Sequence, residues 1–224
     1  MRKIGVVDGN TLGIVVSSDE KWMAVTSLAN RNITVYKVDD GTVVRTIGSY
    51  GSGPAQFRDP VKLCFVAGSN NLLVCDYSND RVQELTLEGG FVRAIAVETW
   101  PYSVATNGEL IVVGKYTSGA GNKVVVFRYG SGEKVREFAA DGPRAGEVDF
   151  ACGIRFTPDN RHIIVVEWDN KRLSMFTVEG AFVKHIGVRL LVGIAPFASV
   201  LVAKSLWLMR MVIACIFSHQ TAAR

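Results

Sequence analysis

The stretch VKLCFVAGSNNLLVCDYSNDRVQELTLEGGFVRAIAV, Val61 to Val97, decides how this chain folds. It divides into four apolar runs, VKLCFVA (61–67), LLVCDY (72–77), RVQELTL (81–87) and FVRAIAV (91–97). Between them stand GSNN, SND and EGG. Gly, Asn, Asp and Ser favour turns because they tolerate left-handed backbone or bond to their own main chain. Runs this short, joined by breaks this short, read as antiparallel strands in an up-and-down meander. Within the meander, CDYSNDRVQEL (75–85) interrupts apolar alternation with Asp76, Asn79 and Arg81. Those three polar residues are either a local chemical site or one copy of a structural device.

The rest of the chain favours the device. The turns ANRNITVY (29–36), SNDRVQEL (78–85), GNKVVVFR (121–128) and DNKRLSMF (169–176) recur along the sequence. Aligning Asn32, Arg81, Lys123 and Arg172 gives spacings of 49, 42 and 49 residues. About a dozen residues after each turn comes a second landmark: RTIG, RAIA, REFA and KHIG. The fourth unit parses into GIRFTPD (153–159), HIIVVEW (162–168), RLSMFTV (172–178) and FVKHIGV (182–188). Units at about 13–48, 61–97, 103–140 and 153–188 therefore each hold four short strands. Four-stranded units at a period of 40–50 residues are the pattern of propeller blades.

Gly-rich linkers join the units: GSYGSGPAQFRDP (48–60) and DGPRAGEVDF (141–150). Each must carry the chain from an outer edge strand to the next blade's innermost strand. Phe57 and Phe150 near their ends are expected to plug the groove between blades. Neither linker is read as a phosphate cradle, since the Gly-Lys-Ser/Thr ending is missing and no helix follows.

Here the sequence resembles the NHL-repeat family of β-propellers. The match is best over Gly51 to Ala96, with its Gly-rich lead-in, the Phe-x-x-Pro step (Phe57, Pro60) and the Asp-x-x-Asn-x-Arg-Val run (Asp76, Asn79, Arg81, Val82). The fourth unit keeps Asn170, Arg172 and Leu173 but has Glu167 at the Asp position. The first keeps Asn30, with Ser27 and Asn32 at the acid and Arg positions; the third has largely lost the turn pattern. The resemblance implies an all-β propeller over residues 1–189, here about four blades. The polar run has a physical reading of its own. A carboxylate at a strand end accepts hydrogen bonds from turn amides, and Arg81 can pair with Asp76 across the turn. Asp76, Asn79, Arg81, Asn170 and Arg172 are accordingly structural candidates, and Arg81→Ala is expected to lower stability rather than abolish an activity.

Both ends depart from the pattern. KIGVV (3–7) resembles the close of a unit and is a candidate ring-closing strand. NHL propellers usually have about six blades, so four blades and a remnant suggest an incomplete ring and self-association through open blade edges. The tail 190–224 is apolar, with no acidic residue after Glu179. Three readings stay open for it. Residues 190–209 suit a membrane span in length; ASVLVAKS suits divergent closing strands; and the abrupt change in composition suits non-native sequence.

Composition limits the chemistry. The net charge is +4, and Lys204, Arg210 and Arg224 account for the three bases beyond residue 189, leaving 22 bases and 21 acids before it. That balance argues against a dedicated nucleic-acid binder. The start MRKIGVVDGN has no long apolar run and is not read as a secretory signal, so a cytoplasmic location is favoured, with membrane association through the tail as the alternative. Cys64, Cys75, Cys152 and Cys215 match no zinc or redox spacing, and buried free thiols are expected at Cys64 and Cys75. His162, His185 and His219 match no ligand spacing, and no nucleophile elbow occurs. No metal, cofactor or catalytic residue is assigned. Trp100-Pro101-Tyr102, in the connection between units two and three, is a candidate partner-binding group, inter-blade packing being its other reading. The leading expectation is a non-catalytic scaffold that presents loops to a protein partner. The alternatives are an enzyme with an axial pocket, of lyase or hydrolase type, and an RNA-binding propeller.

Overall fold

The computed structural model describes residues 10–117 and 121–186. The expected strand at 3–7, Cys215, His219 and all three readings of the tail 190–224 lie outside the described residues. Within them the chain is all-β: four sheets of four antiparallel strands, each in sequence order from one edge to the other.

Blade 1 is β1 (Ile14–Val16), β2 (Trp22–Ser27), β3 (Asn32–Lys37) and β4 (Val43–Ile47). The following linker forms a small parallel pair, β5 (Ser49–Tyr50) with β6 (Gln56–Phe57). Blade 2 is β7 (Pro60–Phe65), β8 (Leu72–Asp76), β9 (Arg81–Leu85) and β10 (Phe91–Ala96), with a 3-10 turn over Tyr77–Asn79 between β8 and β9. Blade 3 is β11 (Pro101–Thr106), β12 (Leu110–Lys115), β13 (Lys123–Arg128) and β14 (Lys134–Phe138). A second parallel pair follows, β15 (Ala140–Asp141) with β16 (Glu147–Val148). Blade 4 is β17 (Ala151–Phe156), β18 (His162–Glu167), β19 (Arg172–Thr177) and β20 (Phe182–Ile186).

The repeat seen in sequence is a repeat in register. The second and third strands of the blades pair Ser27 with Asn32, Asp76 with Arg81, Lys115 with Lys123, and Glu167 with Arg172. A bulge recurs between third and fourth strands of every blade, at Val35/Tyr36, Phe91/Arg93, Val126/Phe127 and Met175/Phe176. Bulges at a fixed place sharpen strand twist, which lets successive sheets stack face to face around an axis.

Stacking explains why the second strands are more apolar than simple alternation requires. Every residue of β8 is buried, because both faces of its blade are covered by neighbours. Between blades 1 and 2, Ile33, Val35 and Ile47 meet Phe57, Leu72, Val74 and Leu85. Between blades 3 and 4, Val112, Val124 and Val126 meet Ile154, Ile163, Val165 and Phe176. Each such side chain contributes on the order of 1.5–3 kcal/mol by leaving water. The innermost strands β7, β11 and β17 lie side by side along the axis.

A polar strut accompanies the apolar contacts. Arg45 on β4 donates to the Glu88 carbonyl, Arg93 on β10 to the Gly130 carbonyl, and Arg136 on β14 to the Val178 carbonyl. These are the basic residues of the RTIG, RAIA and REFA landmarks, and each reaches the outer turn of the following blade. At the blade 2–3 junction Arg93 also binds buried Glu84, which accepts the Tyr129 hydroxyl at 2.6 Å. That contact and burial push the Tyr129 phenol up to about 12, burial being the larger cause.

The two linker phenylalanines turn out not to be equivalent. Phe57 pairs in β6 and is fully buried between blades, but its counterpart in the second linker is Val148, at the same place in β16. Phe150 instead matches Asp59, two residues on, and packs at one end of the axis. The spacing from each linker's end misleads because DP (59–60) in blade 2 is replaced by FA (150–151) in blade 4.

Candidate functional site

The polar run of blade 2 is a clasp that grips the linker in front of it. Asp76 ends β8 and is completely buried. Its carboxylate accepts from Arg81 Nε at 3.0 Å, Asn79 Nδ2 at 2.7 Å and the Arg58 amide at 2.9 Å. Held in that orientation, Arg81 donates through its NH2 group to the carbonyls of Gly53 and Gln56, and Asn79 donates to the carbonyl of Gly51. A planar guanidinium suits this work because its donors diverge in fixed directions. Gly51 has φ +152°, a conformation that side chains rarely adopt, and an added Cβ there would also press on the Gln56 side chain, so the backbone conformation favours glycine.

Blade 4 builds the same clasp with one more methylene. Glu167, also fully buried, accepts from Arg172 Nε at 3.0 Å and Asn170 Nδ2 at 2.6 Å. Arg172 reaches the carbonyls of Pro143, Arg144 and Glu147, and Asn170 reaches that of Gly142. The next position along the third strand absorbs the size change. Gln83 approaches Asp76 at 3.4 Å in blade 2, whereas the short Ser174 hydroxyl donates to Glu167 in blade 4.

Blade 3 has no acid or Arg at these positions. Lys115 and Lys123 stand there and both pair with Glu137 on β14, and Lys115 also meets Glu98. The bond from Lys123 is the largest influence on Glu137, which is lowered to about 2 despite its burial. Asn122 ties this blade to the next linker, donating to Asp141 at 2.7 Å and to Asp149 at 2.9 Å. Burial and the nearby Asp169 and Asp141 raise Asp149.

The residue after each clasp position leads to the second feature. Tyr77, Tyr116 and Trp168 each donate a backbone N–H to the residue that precedes an inner strand, Asp59, Trp100 and Phe150, and Leu28 donates to Asn10, four residues ahead of β1. These bonds, at 2.9–3.1 Å, line up around one mouth of the propeller. From blade 2 to blade 4 that mouth is aromatic. Trp100 stacks on Tyr77 at 5.6 Å between ring centres; Tyr77 meets Tyr102 edge-on at 6.2 Å; Phe150 meets Tyr102 at 4.7 Å and Tyr116 at 4.4 Å. Trp100 is 37 % exposed and Trp168 36 %, whereas Tyr102 is 7 % exposed and supports the layer from beneath. Trp100 holds a left-handed backbone, φ +24°, and its amide donates to Asp80 at 2.9 Å. Burial raises the Tyr77 phenol, with Tyr116, Asp59 and Asp80 adding to the shift.

Tyr77, Tyr116 and Asp80 were not singled out from sequence. The available signal was positional: the column following Ser27, Asp76, Lys115 and Glu167 reads Leu, Tyr, Tyr, Trp. His162 begins β18, and His185 on the outermost strand lies 2.9 Å from the Ser174 hydroxyl, lowered by burial and by Arg172. Cys64 and Cys75 are buried free thiols, Cys152 is buried as well, and burial pushes Cys64 up to about 12. Among the described residues no group of three or more His, Cys, Asp or Glu side chains is placed to hold a metal ion.

No family model and no curated protein matches the chain. Solved structures do share its fold. A hydrazine synthase chain of Kuenenia stuttgartiensis superposes with a TM-score of 0.62 at 17 % identity, covering 81 % of this chain and 52 % of that one. U3-55K superposes at 0.63 with 10 % identity, covering 83 % of this chain and 53 % of that one. Both neighbours are β-propeller proteins, and the chain described here has the propeller fold. It spans about half the length of these neighbours.

Proposed function

We propose that this propeller is an NHL-like, non-catalytic scaffold that binds a protein partner through the aromatic mouth. The observation that carries the reading is the contrast between the two polar-aromatic features. The repeated Asn and Arg groups are turned inward onto linker carbonyls, held there by the buried Asp76 or Glu167 that accepts from them. Trp100 and Trp168, by contrast, reach solvent, and Trp100 does so on an aromatic base in which Tyr77 rests edge-on against buried Tyr102. Exposed aromatics on a rigid support are favoured anchors, since little conformational freedom is lost when they are covered. The carboxylate clasp supports the NHL assignment, because its Asp76, Asn79 and Arg81 are the residues of the family's repeat and they recur at Glu167, Asn170 and Arg172.

The test is chemical crosslinking of the full chain to proteins of its source cells, comparing wild type with Trp100→Ala/Trp168→Ala. Crosslinked proteins lost in the variant, while its melting temperature is kept, support the scaffold reading. An unchanged set of crosslinked proteins sinks it.

A further inference from the structure

We infer that the Trp100–Tyr77 pair recognises an arginine side chain of the partner, with Asp80 as the counter-charge. This rests on the scaffold reading and adds the chemistry of what the mouth takes. Trp100 is exposed, yet its ring is fixed by stacking on Tyr77 with 23° between the planes. Its backbone is fixed too, by the Asp80 carboxylate on its amide and by the bond from the Tyr116 amide to its carbonyl. The platform is therefore preorganised.

The charge beside it is negative. Asp80 is exposed, in a left-handed conformation at the end of the 3-10 turn, and makes no ion pair among the described residues. Asp59 and Asp80 both act on the Tyr77 phenol. Three of the cations nearby are already engaged: Arg31 pairs with Asp59, and Lys115 and Lys134 pair with Glu98. Arg58 and Lys171 are exposed on neighbouring loops but pair with no acid among the described residues. A guanidinium satisfies both halves of this surface. Its flat face stacks on an indole, and its edge donates to a carboxylate. The same geometry already occurs within the fold, where Arg93 lies 4.8 Å over the Tyr129 ring and donates to Glu84.

The probe is a Gly/Ser nonapeptide with one central arginine, against the same peptide carrying citrulline, which keeps the shape and removes the charge. Full-chain protein labelled with 5-fluorotryptophan reports binding at Trp100, its resonance assigned from Trp100→Phe. The arginine peptide is expected to bind about five- to tenfold tighter than the citrulline peptide and to weaken as salt rises. Asp80→Asn keeps an acceptor for the Trp100 amide and is expected to erase that preference. Equal binding of the two peptides at the Trp100 resonance overturns the arginine inference and leaves the scaffold reading standing. A Trp100 resonance that moves with neither peptide overturns the inference too, while the crosslinking comparison decides the scaffold reading separately.

Discussion

Blades 2 and 4 solve one problem with different residues, and blade 3 shows what stands in those positions where the problem is absent. In blades 2 and 4 a Gly-rich linker must be held against the end of the second and third strands, whereas only residues 97–100 connect blade 2 to blade 3. Blade 2 uses a short acid with a long neighbour, Asp76 with Gln83; blade 4 uses a long acid with a short neighbour, Glu167 with Ser174. Both leave Arg and Asn aimed at equivalent carbonyls. In blade 3, Lys115 and Lys123 turn to Glu137 on the outer strand, and the sheet end is tied to the following linker through Asn122. The clasp is therefore a matter of summed side-chain reach around a buried carboxylate, and identity at any one position is secondary to that sum.

The largest test of this contrast is Asp76→Ala. It removes the counter-charge of Arg81, the acceptor of its Nε and that of the Arg58 amide, and is expected to cost about 3–5 kcal/mol in urea unfolding. A loss below 1 kcal/mol would mean water replaces the carboxylate and that the clasp is no brace. Next comes Glu167→Asp, expected to cost about 1–3 kcal/mol because the shortened acid withdraws from Arg172 and Ser174. Adding Ser174→Gln rebuilds the blade 2 pairing and should recover most of that loss, a coupling of about 0.5–3 kcal/mol in a double-mutant cycle. Strict additivity of the two changes would break the compensation argument.

Blade 3 gives a smaller, pH-dependent effect. Glu137 is lowered to about 2 in the folded chain, below its ordinary 4.5. Its contribution is thus present above the ordinary value and is lost as pH falls through the folded one. Glu137→Gln should cost about 1 kcal/mol at neutral pH and flatten the stability profile between those two values. The smallest effect concerns the blade 2–3 junction. Tyr129 is raised to about 12 from 10, so its contribution is complete below its ordinary value and is lost as pH rises through the folded one. Tyr129→Phe should cost about 1 kcal/mol, with the difference from wild type shrinking in strong alkali. A difference that stays constant with pH would place the loss in packing rather than in the Glu84 bond.

Much of this was legible in the chain itself. Strand boundaries followed from turn residues, and the aligned Asn32, Arg81, Lys123 and Arg172 do occupy one register position at the start of the third strands. The pairing of Asp76 with Arg81 was readable because both partners lie within one hairpin. What they grip was not, since the carbonyls of Gly51, Gly53 and Gln56 are 25–28 residues away. Backbone acceptors also leave no mark in a sequence. The mismatch of Phe57 with Phe150 has a related cause: strand pairing in β6 and β16, not distance from a linker's end, sets equivalence.

Sequence by itself determined the all-β class, the four-strand unit and its period, because alternation and turn chemistry are local properties that every hairpin must satisfy. Tertiary structure alone decided which face of each unit became a mouth. Tyr77, Trp100, Tyr102, Tyr116 and Phe150 come from three blades and meet only when those blades stack around an axis. Stacking depends on sheet twist and on non-local burial, and no stretch of sequence short enough to read as a motif contains either.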